Sequence, residues 1–100
     1  MSNTQTLTVA GIIRDQIKAL DKWAFGAWGA KEFVNTGKGL KFKTSGMVRW
    51  KGYVHVILDE AKDLYRVEFF RIRGVKIIND KVVTDVFVEN LVDVINEQVG

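Results

Sequence analysis

Cysteine and proline are both missing from this chain, and histidine occurs once, as His55. Without cysteine there is no disulfide framework, no thiolate nucleophile and no cysteine-based zinc site. One histidine excludes a multi-histidine metal site within a single chain. Long apolar runs are missing too, since none approaches the roughly 18–20 residues that span a bilayer. The opening M-S-N-T-Q-T is polar and uncharged, lacking the basic-then-apolar pattern of a signal peptide. These absences lead us to expect a soluble cytoplasmic protein with no metal and no cofactor.

What is present is enough to fold. Within 100 residues, 47% are hydrophobic and 11% aromatic, which disfavours disorder and suits one domain with one core. The net charge of +3 is unevenly spread. Between Lys31 and Lys76 there are eleven Lys/Arg against five Asp/Glu, whereas Asp80–Gly100 holds one Lys against five acids. A basic middle and an acidic tail can steer charged partners; the same runs also suit ordinary solvated faces.

The spacing of Ile13, Ile17, Leu20 and Ala24 predicts a helix over 9–24, with Thr8 as its N-cap. Gly26 and Gly29 then interrupt W-A-F-G-A-W-G-A-K (23–31), whose aromatics fit a core plug or an aromatic pocket. Alternating patterns predict strands at 31–35, 40–44, 47–59 and 64–73. In 47–59, Val48, Trp50, Gly52, Val54, Val56 and Leu58 share one face, opposite Arg49, Lys51, Tyr53, His55 and Ile57. The run L-Y-R-V-E-F-F-R-I-R breaks alternation. A β-bulge at Phe69-Phe70 would turn all five of its apolar residues inward. Asn79-Asp80 suits a tight turn between strands 75–79 and 82–87. A last helix is expected over 88–98, with Val88, Leu91, Val92 and Ile95 inward and Glu89, Asp93 and Glu97 on one edge. The expected fold class is α+β. It is an antiparallel meander sheet of four to six strands, with an N-terminal and a C-terminal helix packed on its apolar face.

Chemical motifs are sparse. Lys51-Gly52-Tyr53 opens like the RNP signature of RNA-binding sheets, but Val54, His55 and Leu58 depart from it, and no helix separates the central strands. Gly37-Lys38-Gly39 lacks the strand-loop-helix setting of a phosphate-binding P-loop. His55 has no partner nucleophile at a recognisable spacing, Glu68 beside Arg66 reads as a strand ion pair, and Asp59-Glu60 as loop carboxylates. No enzyme is expected. A looser pattern remains: Lys41, Lys43, Arg49, Lys51, Tyr53, His55, Arg66, Arg71 and Arg73 could share one exposed sheet face. Cations would track phosphates there, and Tyr53 and His55 would stack on bases.

Two stretches, W-G-A-K-E-F-V with G-L-K-F-K (28–34, 39–43) and D-L-Y-R-V-E-F-F-R-I-R-G (63–74), carry a resemblance. They resemble small uncharacterised phage and mobile-element proteins of environmental and marine origin. These share a GAKxFV hairpin, an LxFK strand and a DxYxVEF strand ending in IRG. The resemblance implies a small accessory protein that binds host or phage components, and it assigns no functional residue. Two functions therefore stand as expectations. One is a binding module for nucleic acid; the other is a protein–protein module, such as a phage-encoded inhibitor of an acidic host factor. A homodimer through exposed strand edges is a third possibility for partners.

Overall fold

The computed structural model describes residues 8–45 and 48–100. Helix α1 covers Val9–Leu20, and Thr8 caps it by accepting the Gly11 N–H on its hydroxyl at 3.0 Å. The helix stops four residues before the predicted end. Asp21 leaves helical space, and its carboxylate takes the Trp23 N–H at 2.9 Å. A side chain that captures a nearby backbone donor competes with helix propagation, which is the physical reason for the break. A short helix α2, Ala24–Trp28, follows and ends on Gly29 in the left-handed region (φ 60°).

Among the described residues five strands come next: β1 (Lys31–Asn35), β2 (Gly39–Lys43), β3 (Tyr53–Asp59), β4 (Leu64–Arg73) and β5 (Lys76–Val86). They pair antiparallel in chain order, so the sheet is a meander. A 3₁₀ turn at Val88–Asn90 leads into helix α3, Leu91–Val99. The fold is α+β, as expected.

Three local expectations are corrected. The strand predicted over 47–59 begins only at Tyr53, with positions 46–47 outside the described residues. The backbone N–H groups of Arg49 and Trp50 donate to Val99 O at 3.1 and 3.2 Å, so α3 claims the donors a ladder would need. Next, 75–79 and 82–87 form one strand, not a hairpin. The turn lies at Gly74-Val75, where Gly74 has φ 60° and Arg73 pairs with Lys76. Glycine adopts that conformation without a Cβ penalty, and so it takes the turn from Asn79-Asp80. Finally, the register slips at Phe69/Phe70, but on the other strand. Phe69 faces Lys81 and Phe70 faces Asn79, leaving Asp80 as the extra residue in β5. Because β4 keeps an unbroken register against β3, Phe70 and Ile72 lie opposite Phe69, and the inward turn of all five apolar residues does not occur.

The described helices α1, α2 and α3 pack on one face of the sheet. Ile13 and Ile17 of α1, Trp28 of α2, and Leu91, Ile95 and Val99 of α3 meet Leu40, Phe42, Val54, Val56, Val67 and Phe69. Each such burial stabilises by about 1.5–3 kcal/mol. Trp28 is a core residue: it stacks on Phe42 (5.9 Å, 6°), and its indole N–H donates to Asn96 Oδ1 at 2.6 Å. Trp23, by contrast, is 72% exposed. Both edge strands are bulged, β1 between Lys31 and Val34 and β5 at two places. Bulged edges resist addition of a further strand.

Candidate nucleic-acid interface

No described element covers the second face of the sheet, and its residues follow from register. Lys31 pairs with Lys43, Lys43 with Tyr53, Tyr53 with Phe70, and Phe70 with Asn79. Directly paired residues in neighbouring strands point to the same side. One row across all five strands therefore reads Lys-Lys-Tyr-Phe-Asn. At about 4.8 Å between strands, it spans roughly 19 Å. Tyr53 and Phe70 stack at 5.3 Å with 12° between their planes, and Lys43 Nζ lies 5.8 Å from the Tyr53 ring centre. A second row reads Val34, Lys41, His55, Glu68 and Val82.

Of the nine residues that the sequence nominates, five lie on this face: Lys41, Lys43, Tyr53, His55 and Arg66. The other four do not join them as one surface. Arg71 is on the helix side, because alternation in β4 sets it with Phe69. Its guanidinium donates twice to the Asp80 carboxylate, at 2.6 and 2.9 Å, and Asp80 also accepts the Trp50 indole N–H at 2.9 Å. These two donors hold the Asp80 carboxyl below the ordinary carboxylate range. Trp50 in turn packs edge-on against Phe69. Arg49 is on the helix side too, its Nη2 donating to Glu97 O at 2.9 Å near the negative end of α3. Lys51 and Arg73 sit at the rim between the two sides. There they join Lys43, Gly52, Tyr53, Arg71 and Ile72 around a concavity of about 370 Å³.

The expected stacking role of His55 is corrected. Its side chain is only 15% exposed, with Nε2 2.9 Å from the Thr36 hydroxyl and Nδ1 3.8 Å from Glu68. The Thr36 hydroxyl already donates to Gly39 O at 3.1 Å, which leaves it accepting from an Nε2–H tautomer. Burial pushes the imidazole below its ordinary 6.5, helped by Lys41, Lys38 and Arg66 and opposed by Glu68. At neutral pH His55 is therefore an uncharged strut. Arg66 Nε lies 3.2 Å from Glu68 Oε2, outside hydrogen-bond alignment, so its charge is largely compensated.

Sequence reasoning missed Lys31 and Phe70. Lys31 joins the row only through the β1–β2 register, which no local pattern reveals. Phe70 was legible: strict alternation along β4 places it with Arg66 and Glu68, and the assumed bulge moved it inward. Beyond Phe70 the face turns apolar, with Ile72 (49%), Ile77 (63%) and Val82 (50%) well exposed.

A second concavity, of about 430 Å³, is lined by Lys38, Lys62 and Arg66 but also by Asp59, Glu60 and Asp85. Lys62 Nζ meets Asp85 Oδ1 there at 3.0 Å, so its charges cancel locally. No helix among the described residues is long and apolar enough to cross a membrane. Comparison with known protein families, curated proteins and solved structures gave no match to this chain.

Proposed function

We propose that the chain is a non-enzymatic module that binds single-stranded nucleic acid across the open face of its sheet. The observation that carries this reading is the row Lys31, Lys43, Tyr53, Phe70, Asn79. Cations for phosphate, a stacked aromatic pair for bases and an amide for base edges follow one another on one surface. Stacking is worth about 1–3 kcal/mol per base and needs unpaired bases, which favours single strands over duplex. Such a protein would act in the cytoplasm, where single strands are exposed.

The direct test is fluorescence anisotropy with labelled single- and double-stranded oligonucleotides. Binding is expected at about 50 mM salt, stronger for single strands, with log affinity falling by about 0.7 per phosphate contacted for each tenfold rise in salt. No binding to any oligonucleotide at that salt would overturn the reading.

A second reading rests on the exposed Ile72, Ile77 and Val82 beside the cations. Apolar side chains rimmed by charge also suit a protein partner, here an acidic host factor inhibited by a phage-encoded module. The resemblance of 28–74 to phage and mobile-element proteins supports that setting. Capture of an acidic protein that survives nuclease treatment and is lost in an Ile72→Asp/Ile77→Asp variant would favour it.

A further inference from the structure

We infer that the rim concavity between β3 and β4 takes the terminal phosphate of a nucleic-acid strand, a dianionic phosphomonoester. This rests on the reading of the open face as a single-strand platform and adds a preference for strand ends.

Four cationic residues, Lys43, Lys51, Arg71 and Arg73, line a space of about 370 Å³ that no carboxylate lines. The contrast with the 430 Å³ concavity is chemical, because there three carboxylates offset three cations. Asp80 holds Arg71 from the helix side through Nε and one Nη2 hydrogen, leaving the Nη1 hydrogens unengaged by it. Among the described residues no ion pair ties down Lys43, Lys51 or Arg73.

Gly52 lines the same space. A side chain there is excluded, since a Cβ would lie 2.6 Å from the Trp50 ring and 2.7 Å from Phe70 O. Tyr53 and Ile72 complete the lining, so the concavity opens onto the aromatic row.

An internal phosphodiester carries one negative charge and would leave most of this cationic field unused. A phosphomonoester carries nearly two at neutral pH and presents three acceptor oxygens, which suits a space lined by several lysine and arginine side chains. With its phosphate seated at the rim, the terminal nucleotide has Tyr53 and Phe70 as its nearest stacking surface, and the strand continues across the open face.

The test compares one labelled oligonucleotide ending in a 5′-phosphate, a 3′-phosphate or unmodified hydroxyls. Inorganic phosphate and a nucleoside monophosphate serve as competitors. One phosphorylated end should bind about tenfold tighter than the hydroxyl form, the gain of one or two charge-assisted hydrogen bonds. The nucleoside monophosphate should compete better than inorganic phosphate, because only it also reaches the aromatic pair. A Lys51→Gln/Arg73→Gln variant should lose the end preference while keeping the affinity of the hydroxyl form. Lys31→Gln/Lys41→Gln should weaken all three forms alike. Far-UV circular dichroism checks that both variants fold.

Equal binding of the three oligonucleotides overturns the end site and leaves the platform standing. A preference that survives Lys51→Gln/Arg73→Gln overturns it as well. If no oligonucleotide binds, the platform falls and the end site with it.

Discussion

Phe69 and Phe70 are chemically identical neighbours with opposite surroundings. Phe69 is fully buried under the helices, where Trp50 meets it edge-on. Phe70 lies on the open face, half-buried against Tyr53. The period-2 geometry of a strand separates them, and it separates two kinds of physics. On the covered face, close packing against Val54, Val67 and α3 supplies stability. On the open face, aromatic area stays beside lysines and gives the fold little, which is the economy expected of a surface kept for a ligand.

The largest expected effect lies on that boundary. Phe69→Ala should cost about 3–5 kcal/mol by urea denaturation, through lost transfer energy and the cavity left behind. Phe70→Ala should cost only about 0.5–1.5 kcal/mol, the worth of an aromatic pair, while sharply weakening oligonucleotide binding. Equal stability losses for the two variants would break the comparison.

Gly39→Ala comes next, by about 1–3 kcal/mol. At this position β2 passes so close to β3 that an added Cβ would collide with the Val56 carbonyl and lie 2.9 Å from Ile57 Cα. The same denaturation assay reads it, and no change would mean that the two strands can separate there without loss.

Lys31→Gln/Lys41→Gln/Lys43→Gln should leave stability within about 0.5 kcal/mol, as surface substitutions do. Its effect belongs to binding. If all three contact phosphate, the slope of log affinity against log salt should fall by about 2. An unchanged slope would remove the β1–β2 half of the face from the interface.

The smallest effect is the pH dependence of His55. Its folded-state pKa is lowered chiefly by burial, so between that value and 6.5 the unfolded chain binds more protons. Stability therefore rises with pH through that window, is complete above about 6.5, and is lost as pH falls below it. Denaturation at a series of pH values should show this slope in the wild type and a shallower one in His55→Gln.

Much of the architecture is legible in the residue pattern. Helical spacing marks Ile13 and Ile17, and again Leu91, Val92 and Ile95, as buried stripes, but Leu20 and Val88, read into the same stripes, are exposed. Alternation marks Val54 and Val56 as the inner face of a central strand. Short turn-bearing connections between strands then favour a meander. Apart from the early end of α1, which Asp21 sets within two residues, the misplaced features depend on partners distant in sequence. The stretch before Tyr53 reads as strand until Val99 takes its backbone donors. Asn79-Asp80 reads as a turn until β5 pairs along all of β4 and Asp80 bulges toward Arg71 and Trp50.

The candidate interface divides in the same way. Lys41, Lys43 and Tyr53 follow from local alternation, whereas Lys31 needs the β1–β2 register. The exclusion of Arg49 from the open face needs Glu97, whereas that of Arg71 follows from alternation in β4, with Asp80 then holding its guanidinium. By itself, then, the sequence determined the α+β class, the two helical stripes and the presence of a basic sheet face. These depend on periodicity, which is local. The tertiary structure decided where the bulges fall, which cations share a surface and which aromatic is left for a ligand. Those depend on pairings between distant segments, whose hydrogen bonds and charges exist only once the chain has closed on itself.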